Sequence, residues 1–414
     1  MSLFASFRAV HVTLTAPTHR GNVGAPPDME SAALPVANLP AIDVAPLLQA
    51  ADTAARRACA HEIALACASH GAFYAVNSGI SGTRAFEAGT AFFTQCSAAK
   101  LAAAADPVAA SRGFARGFIG IGGESGSAEL REVKEGYSYG FDWPAEQPPD
   151  NALQGPNVWP ASDPQEGFDA EDFRTTMNDI YSDCYRVSQA IAAGLAQALE
   201  QPALLDACQG SGGETISLMR MFRYFPYSAD PLGSNGDATP AAGVPKIGSS
   251  PHTDWGFLTL VVQQDIGPGE GGLEIWDHTS EQRGWLRVPS VPSSVVVNVG
   301  DYLSLLSRGR FVSPLHRVTM PEASAHSMRA DVDDTEEVRE DAADGTRLSL
   351  VFFAYPEYSA RLSLAEPEGA MRTSLLQQQQ VGARGRTAAE AAARLSETPF
   401  GEYILEKWAQ VSRL

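Results

Sequence analysis

The residues of this chain that could do chemistry begin with His252-Thr253-Asp254. On a strand, side chains two apart point to one face, so an imidazole and a carboxylate could converge on a single ion. The pair alone is weak, because eight histidines and 49 acidic residues in 414 positions make one such spacing expected by chance. His316 supplies a partner, 62 residues past Asp254 and on a different strand-like run. Two imidazoles and one carboxylate form the facial set that holds non-haem Fe(II) while leaving adjacent positions open. The same donors also suit zinc, and a surface His-Asp pair beside an unrelated core histidine is the plainer alternative. Arg347-Leu348-Ser349 adds a second chemistry. Arg347 and Ser349 share a strand face, where a guanidinium fork and a hydroxyl can clamp a carboxylate. A 2-oxo acid chelating two open iron positions needs such a clamp for its far carboxylate and leaves the third position for dioxygen. Tyr224 in Arg223-Tyr224-Phe225-Pro226 could add a phenol there, or simply pack in the core.

These residues need a scaffold. Residues 54–69 carry the apolar spacing of a helix stopped by Gly71, residues 73–76 read as a short strand, and 84–95 as a second helix. The span 106–164 is loop-rich; its GFIGIGGESGS (117–127) lacks the Lys-Ser/Thr of a phosphate loop and reads as an irregular connection. Residues 173–205 form the longest helical pattern, with Ile180, Cys184, Val187, Ile191, Leu195 and Leu199 at three- and four-residue steps. From Thr215 onward, strand-like runs follow at 216–225, 258–263, 272–276, 285–288, 294–299, 315–320 and 348–355, separated by Gly, Pro and Asp. The expectation is a mainly β protein with flanking helices: an α-helical N-terminal region, then a barrel or double sheet.

Composition narrows the function classes. Thirty basic against 49 acidic residues give a net charge of −19, which argues against a nucleic-acid binder and against docking on anionic lipid. The 44% hydrophobic content is that of a globular protein, and no apolar run is long enough to span a membrane. Cys59, Cys67, Cys96, Cys184 and Cys208 are odd in number and scattered, as expected of reduced thiols in a cytoplasmic protein. Residues 1–33 read as a disordered leader or a weak organelle transit peptide. The acidity is uneven: residues 322–345 hold nine acids and two arginines, whereas 215–321 are nearly balanced.

The ordered combination of motifs resembles the isopenicillin N synthase-like family of Fe(II)/2-oxoglutarate-dependent oxygenases. It is carried by HGAFYAVNSGI (70–80), SRGFARGFIGIGGES (111–125), KEGYSYGFD (134–142), LQGPNVWP (153–160), GGLEIWD (271–277), WLRVPSVPSSVVVNVGDYL (285–303), SRGRFVSPLHRV (307–318) and RLSLVFF (347–353). The resemblance implies a double-stranded β-helix, or jelly roll, with Fe(II) on His252, Asp254 and His316. It implies 2-oxoglutarate as co-substrate, its C5 carboxylate bound by Arg347, Ser349 and Tyr224. The implied reaction decarboxylates 2-oxoglutarate to succinate and CO2 with O2 while a small organic substrate is hydroxylated, desaturated or cyclised. No nucleic acid or membrane partner is implied, and a monomer is expected.

The implied organisation is a leader (1–33), an N-terminal helical region (34–214), the oxygenase core (215–365) and a C-terminal helical segment (366–414). Two departures stand out: Ser78 replaces the family's usual histidine, and His316 and Arg347 lie 31 residues apart, far wider than usual. The acidic stretch 322–345 therefore reads as a core insertion, either a lid or a spacer. Rival readings are a same-family oxidase that does not use 2-oxoglutarate, a Zn(II) hydrolase and a non-catalytic jelly-roll binding module. Arg112, Phe114, Phe257 and Phe353 are candidate pocket residues in regions that vary with substrate, with no ligand assigned.

Overall fold

The computed structural model describes residues 34–49, 53–106, 115–124, 129–144, 146–199, 211–227, 244–265, 272–280, 283–320, 345–362 and 388–411. The expected leader, Arg112, Phe114, Cys208 and all of the acidic insertion except Gly345 lie outside the described residues.

Helix α1 (Ala54–Ser69) starts where the Thr53 hydroxyl accepts a bond from the Arg56 amide at 3.1 Å. It buries Ala60, Ile63 and Cys67 and ends at Gly71, whose φ is +72°. A Cβ there would sit 2.1 Å from the Val312 carbonyl oxygen, so the turn needs glycine sterically as well as conformationally. Strand β1 (Ala41–Asp43) pairs parallel with β2 (Ala72–Val76); α2 (Thr83–Thr94) and α3 (Ser97–Ala102) follow. The long helix α4 (Ala170–Ala198) is capped by Asp169, which accepts from the amides of Glu171 and Asp172. It begins earlier than its apolar pattern predicts and ends by Ala198, while residues 200–210 lie outside the described set.

The expected loop-rich span is corrected in part. It contains β3 (Gly117–Ile119), β4 (Arg131–Glu132) and the seven-residue β5 (Lys134–Gly140). The β5 sequence KEGYSYG hides its strand behind two glycines and two charges. What makes it a strand is a tertiary partner, β6 (Leu218–Tyr224), paired without a break from Lys134↔Tyr224 to Gly140↔Leu218. A short helix, α5 (Ser211–Ile216), precedes β6.

The remaining strands are β7 (Lys246–Ile247), β8 (Ser249–His252), β9 (Leu258–Gln263), β10 (Gly272–Asp277), β11 (Gly284–Arg287), β12 (Ser294–Val299), β13 (His316–Thr319) and β14 (Arg347–Ala354). Helix α6 (Asp301–Leu306) lies between β12 and β13, and α7 (Ala388–Glu397) and α8 (Phe400–Val411) follow β14 among the described residues. An eight-stranded sheet runs β1-β2-β12-β9-β14-β6-β5-β3; a four-stranded sheet runs β11-β10-β13-β8.

Alternation explains the layering. Leu260, Val262, Val295, Val297, Leu348, Leu350 and Phe352 of the large sheet pack with α1, α2 and α4. Their neighbours Val261 and Val296 face the other way, against Leu273, Ile275 and Val318 of the small sheet. Both faces of the central strands are buried, which is why SVVVNV reads as a continuous apolar run. Among the described residues no helix is long and apolar enough to cross a membrane, and Cys59, Cys67, Cys96 and Cys184 are free.

Candidate metal centre

Between the two sheets lies a cavity of about 1020 Å³, its mouth included, lined from β6, β9 and β14 on one side and β8, β10 and β13 on the other. His252, Asp254 and His316 meet in it, each offering one ligand atom within 4.8 Å of the others. Asp254 Oδ1 stands 3.7 Å from His252 Nε2 and 3.8 Å from His316 Nε2, and the two rings are 4.3 Å apart at their centroids. The histidines face each other because β8 and β13 pair antiparallel, His252↔His316 in register. β8 ends at His252, so Asp254 arrives through the turn beyond the strand rather than by strand alternation.

The surrounding bonds aim the three groups. His252 Nδ1 lies 2.7 Å from the Ser250 carbonyl and His316 Nδ1 3.1 Å from that of Pro314, so each Nδ1 carries the proton and each Nε2 lone pair faces inward. Asn298 donates to Asp254 Oδ2 at 2.8 Å, leaving Oδ1 toward the imidazoles. Burial, then the neighbouring His316, pushes the His252 imidazole down to about 4, which keeps it neutral and able to donate to a metal at physiological pH. Asp254 is held below the usual carboxylate range despite its burial, chiefly by the facing histidines.

A second tier fixes the turn. Asp301 accepts from Thr253 Oγ1 at 3.1 Å and from Ser313 Oγ at 2.7 Å, and its amide donates to the Asp254 carbonyl at 2.7 Å. One side chain thus ties together the segments that deliver all three groups. Gly300 permits the approach: a Cβ there would sit 2.2 Å from the Gly256 carbonyl oxygen.

Arg347, Ser349 and Tyr224 stand together on the large sheet, with Arg347 in register opposite Tyr224. The Tyr224 and Ser349 hydroxyls are 3.4 Å apart, and the guanidinium lies 5.7 Å from the centre of the Tyr224 ring. Arg347 is 3% exposed; its Nη2 donates to Gln263 Oε1 at 2.7 Å, and its Nη1 is buried with no hydrogen-bond partner. Burial pulls this guanidinium below its usual range. A buried donor without a partner is costly, and a ligand carboxylate would satisfy it.

Sequence reasoning did not single out Asn298, Gln263, Glu124, Arg220 or Trp408. Arg220 had a signal, since it stands four residues before Tyr224, on the same strand face and between Met219 and Met221. Trp408, brought to the cavity wall by α8, had none. Of the candidate pocket residues, Phe353 lines the cavity, whereas Phe257 is 2% exposed in the core beneath it.

Two family models match the chain. One is described as the non-haem dioxygenase in morphine synthesis N-terminal domain, over residues 39–162; the other is the 2OG-Fe(II) oxygenase superfamily, over 216–356. A 2-oxoglutarate-dependent dioxygenase of Monascus ruber is 31% identical over 294 residues, covering 68% of this chain and 79% of that protein. A clavatol oxidase of Penicillium crustosum is 28% identical over 292 residues, 68% and 80% of the two chains. Among solved structures, a full-length Neurospora crassa protein in complex with alpha-KG and thymine superposes with a TM-score of 0.60 at 20% identity, covering 90% of this chain and 96% of that one. That last likeness is one of fold.

Proposed function

Since the chain belongs to the isopenicillin N synthase-like family of Fe(II)/2-oxoglutarate-dependent oxygenases, we propose that His252, Asp254 and His316 hold its iron and that Arg347, Ser349 and Tyr224 bind the distal carboxylate of 2-oxoglutarate. The enzyme oxidises a small organic substrate with O2 while 2-oxoglutarate is decarboxylated to succinate and CO2. Iron and 2-oxoglutarate together supply the oxidising chemistry; the chain's own residues bind, orient and exclude water. Two neutral imidazoles and one carboxylate offer the donor set that suits Fe(II) with open positions. The Arg347 guanidinium binds and orients the dianion, its free Nη1–H and the Ser349 and Tyr224 hydroxyls converging on one carboxylate.

The two facing sheets are read as the walls of a double-stranded β-helix, a reading supported by the alternation that divides β9 and β12 between the helices and the small sheet. The chain is taken to act alone, because all six residues come from one copy.

The observation that carries this reading is the buried, unpartnered Nη1 of Arg347, a residue that lines the same cavity as the triad. Anaerobic addition of Fe(II) and then 2-oxoglutarate is expected to produce the visible absorption of a metal-chelated 2-oxo acid, lost in Asp254→Ala. Succinate formed in step with substrate consumption checks the reaction; turnover undiminished without any 2-oxo acid would overturn it.

A further inference from the structure

The end of the cavity away from Arg347 carries its own charged groups, and all of them are balanced. On β6, Arg220 points to the same face as Tyr224, four residues or about 13 Å along the strand. It is 3% exposed and forms an ion pair through Nη1 with Glu124 Oε2. Its guanidinium carbon lies 4.1 Å from the centre of the Trp408 ring. Trp408 in turn packs edge-on against Trp255 at 5.1 Å and Phe353 at 6.0 Å, and donates to the Tyr355 hydroxyl at 3.0 Å. Lys134, in register with Tyr224 and over the Phe222 ring, is likewise balanced, by Glu132 at 2.9 Å. Arg347 is the one cation in the described lining without a carboxylate partner.

We propose that the substrate of this oxygenase is an uncharged planar molecule, an arene or heteroarene bearing a carbonyl or phenol oxygen, and that Arg220 recognises that oxygen while Glu124 excludes a carboxylate. The inference rests on assigning Arg347 to 2-oxoglutarate. A divalent metal beside Asp254 leaves one positive charge and Arg347 supplies another; the 2-oxoglutarate dianion balances both. Nothing at the Arg220 end then calls for a charged substrate. A carboxylate placed there would either face the Glu124 carboxylate or displace it from Arg220 into a buried wall, both unfavourable where water is scarce. A neutral oxygen meets no such cost. Arg220 Nε–H is buried and without a partner, so it is the donor left to receive one. Trp255, Phe353 and Trp408 supply the apolar, flat surroundings an aromatic body needs.

The test uses the full chain loaded anaerobically with Fe(II) and 2-oxoglutarate. It is titrated with para-substituted toluenes in matched pairs, 4-methylacetophenone against 4-methylbenzoate first. The readout is the perturbation of the metal–2-oxoglutarate absorption, which reports occupancy without turnover. The ketone is expected to act at a concentration about tenfold or more below that of the carboxylate. In Glu124→Gln, where Arg220 loses its balancing charge, the order is expected to reverse. In Arg220→Gln combined with Glu124→Gln, which leaves no buried charge alone, both probes weaken while the absorption itself persists. A carboxylate that binds the wild type as well as the ketone, neither probe perturbing the absorption, or an unchanged order in Glu124→Gln would each overturn the inference. Absence of the absorption from the unliganded wild type would overturn the reading beneath it, and the inference with it.

Discussion

The two ends of the cavity each present a buried arginine on neighbouring strands, and they differ in what surrounds the guanidinium. At the β14 end Arg347 bonds the neutral Gln263, stands opposite Tyr224 and has a donor left over. At the other end Arg220 is paired with Glu124 and stacked on Trp408. On the proposed assignments the same side chain at the same burial serves two purposes: left unbalanced, a socket for an anion; balanced in advance, a polar edge in an aromatic wall.

Removing the metal centre is the largest perturbation. His252→Ala is expected to abolish iron retention, measured as metal content after anaerobic reconstitution and desalting; unchanged iron would break the triad. Next, Arg347→Ala is expected to raise the 2-oxoglutarate concentration needed for half-saturation about 100-fold, the scale of a lost buried charge-assisted contact, with iron content unchanged. Arg220→Gln combined with Glu124→Gln should leave that concentration within about twofold. If it rose as steeply as in Arg347→Ala, the two ends would not be distinct. A smaller effect is expected for Asn298→Ala, which frees Asp254 Oδ2. Iron affinity should weaken about tenfold, seen by competition with a chelator.

The smallest effect concerns the other balanced pair of the lining, Glu132 with Lys134. Glu132 is held down to about 2 against its ordinary 4.5 despite burial, by Lys134 and by bonds from Ser250. A carboxylate with a depressed folded value contributes stability above about pH 4.5 and loses it as pH falls toward about 2. Glu132→Gln is expected to flatten the fall in stability over that window, followed by thermal unfolding at several pH values. An unaltered slope would mean the pair is not the source.

Much of the architecture is legible in the chain. The α1 pattern and the β9 and β12 runs appear in the structure at the expected residues, because each is a strongly periodic or continuous apolar segment whose burial is decided locally. β5 is not legible: its glycines and charges acquire a strand conformation only beside β6. Within the site, residue types and spacing could nominate the histidines, Asp254, Arg347, Ser349 and Tyr224. They could not nominate Asn298, Gln263 or Asp301, whose roles consist of bonds across 44 and 84 residues of chain and among three separate segments.

The sequence by itself determined which donors and which clamp are available, since imidazole, carboxylate and guanidinium chemistry is a property of the residue. It also determined the periodic and continuous apolar runs that become α1, β9 and β12. Only the tertiary structure decided how those groups are balanced. The His252↔His316 register, the turn that carries Asp254 past the end of β8, the meeting of Arg220 with Glu124 and the arrival of Trp408 from the last helix are all contacts between distant segments. Charge compensation depends on distance in space, through Coulomb's law and desolvation, and linear order does not encode that distance.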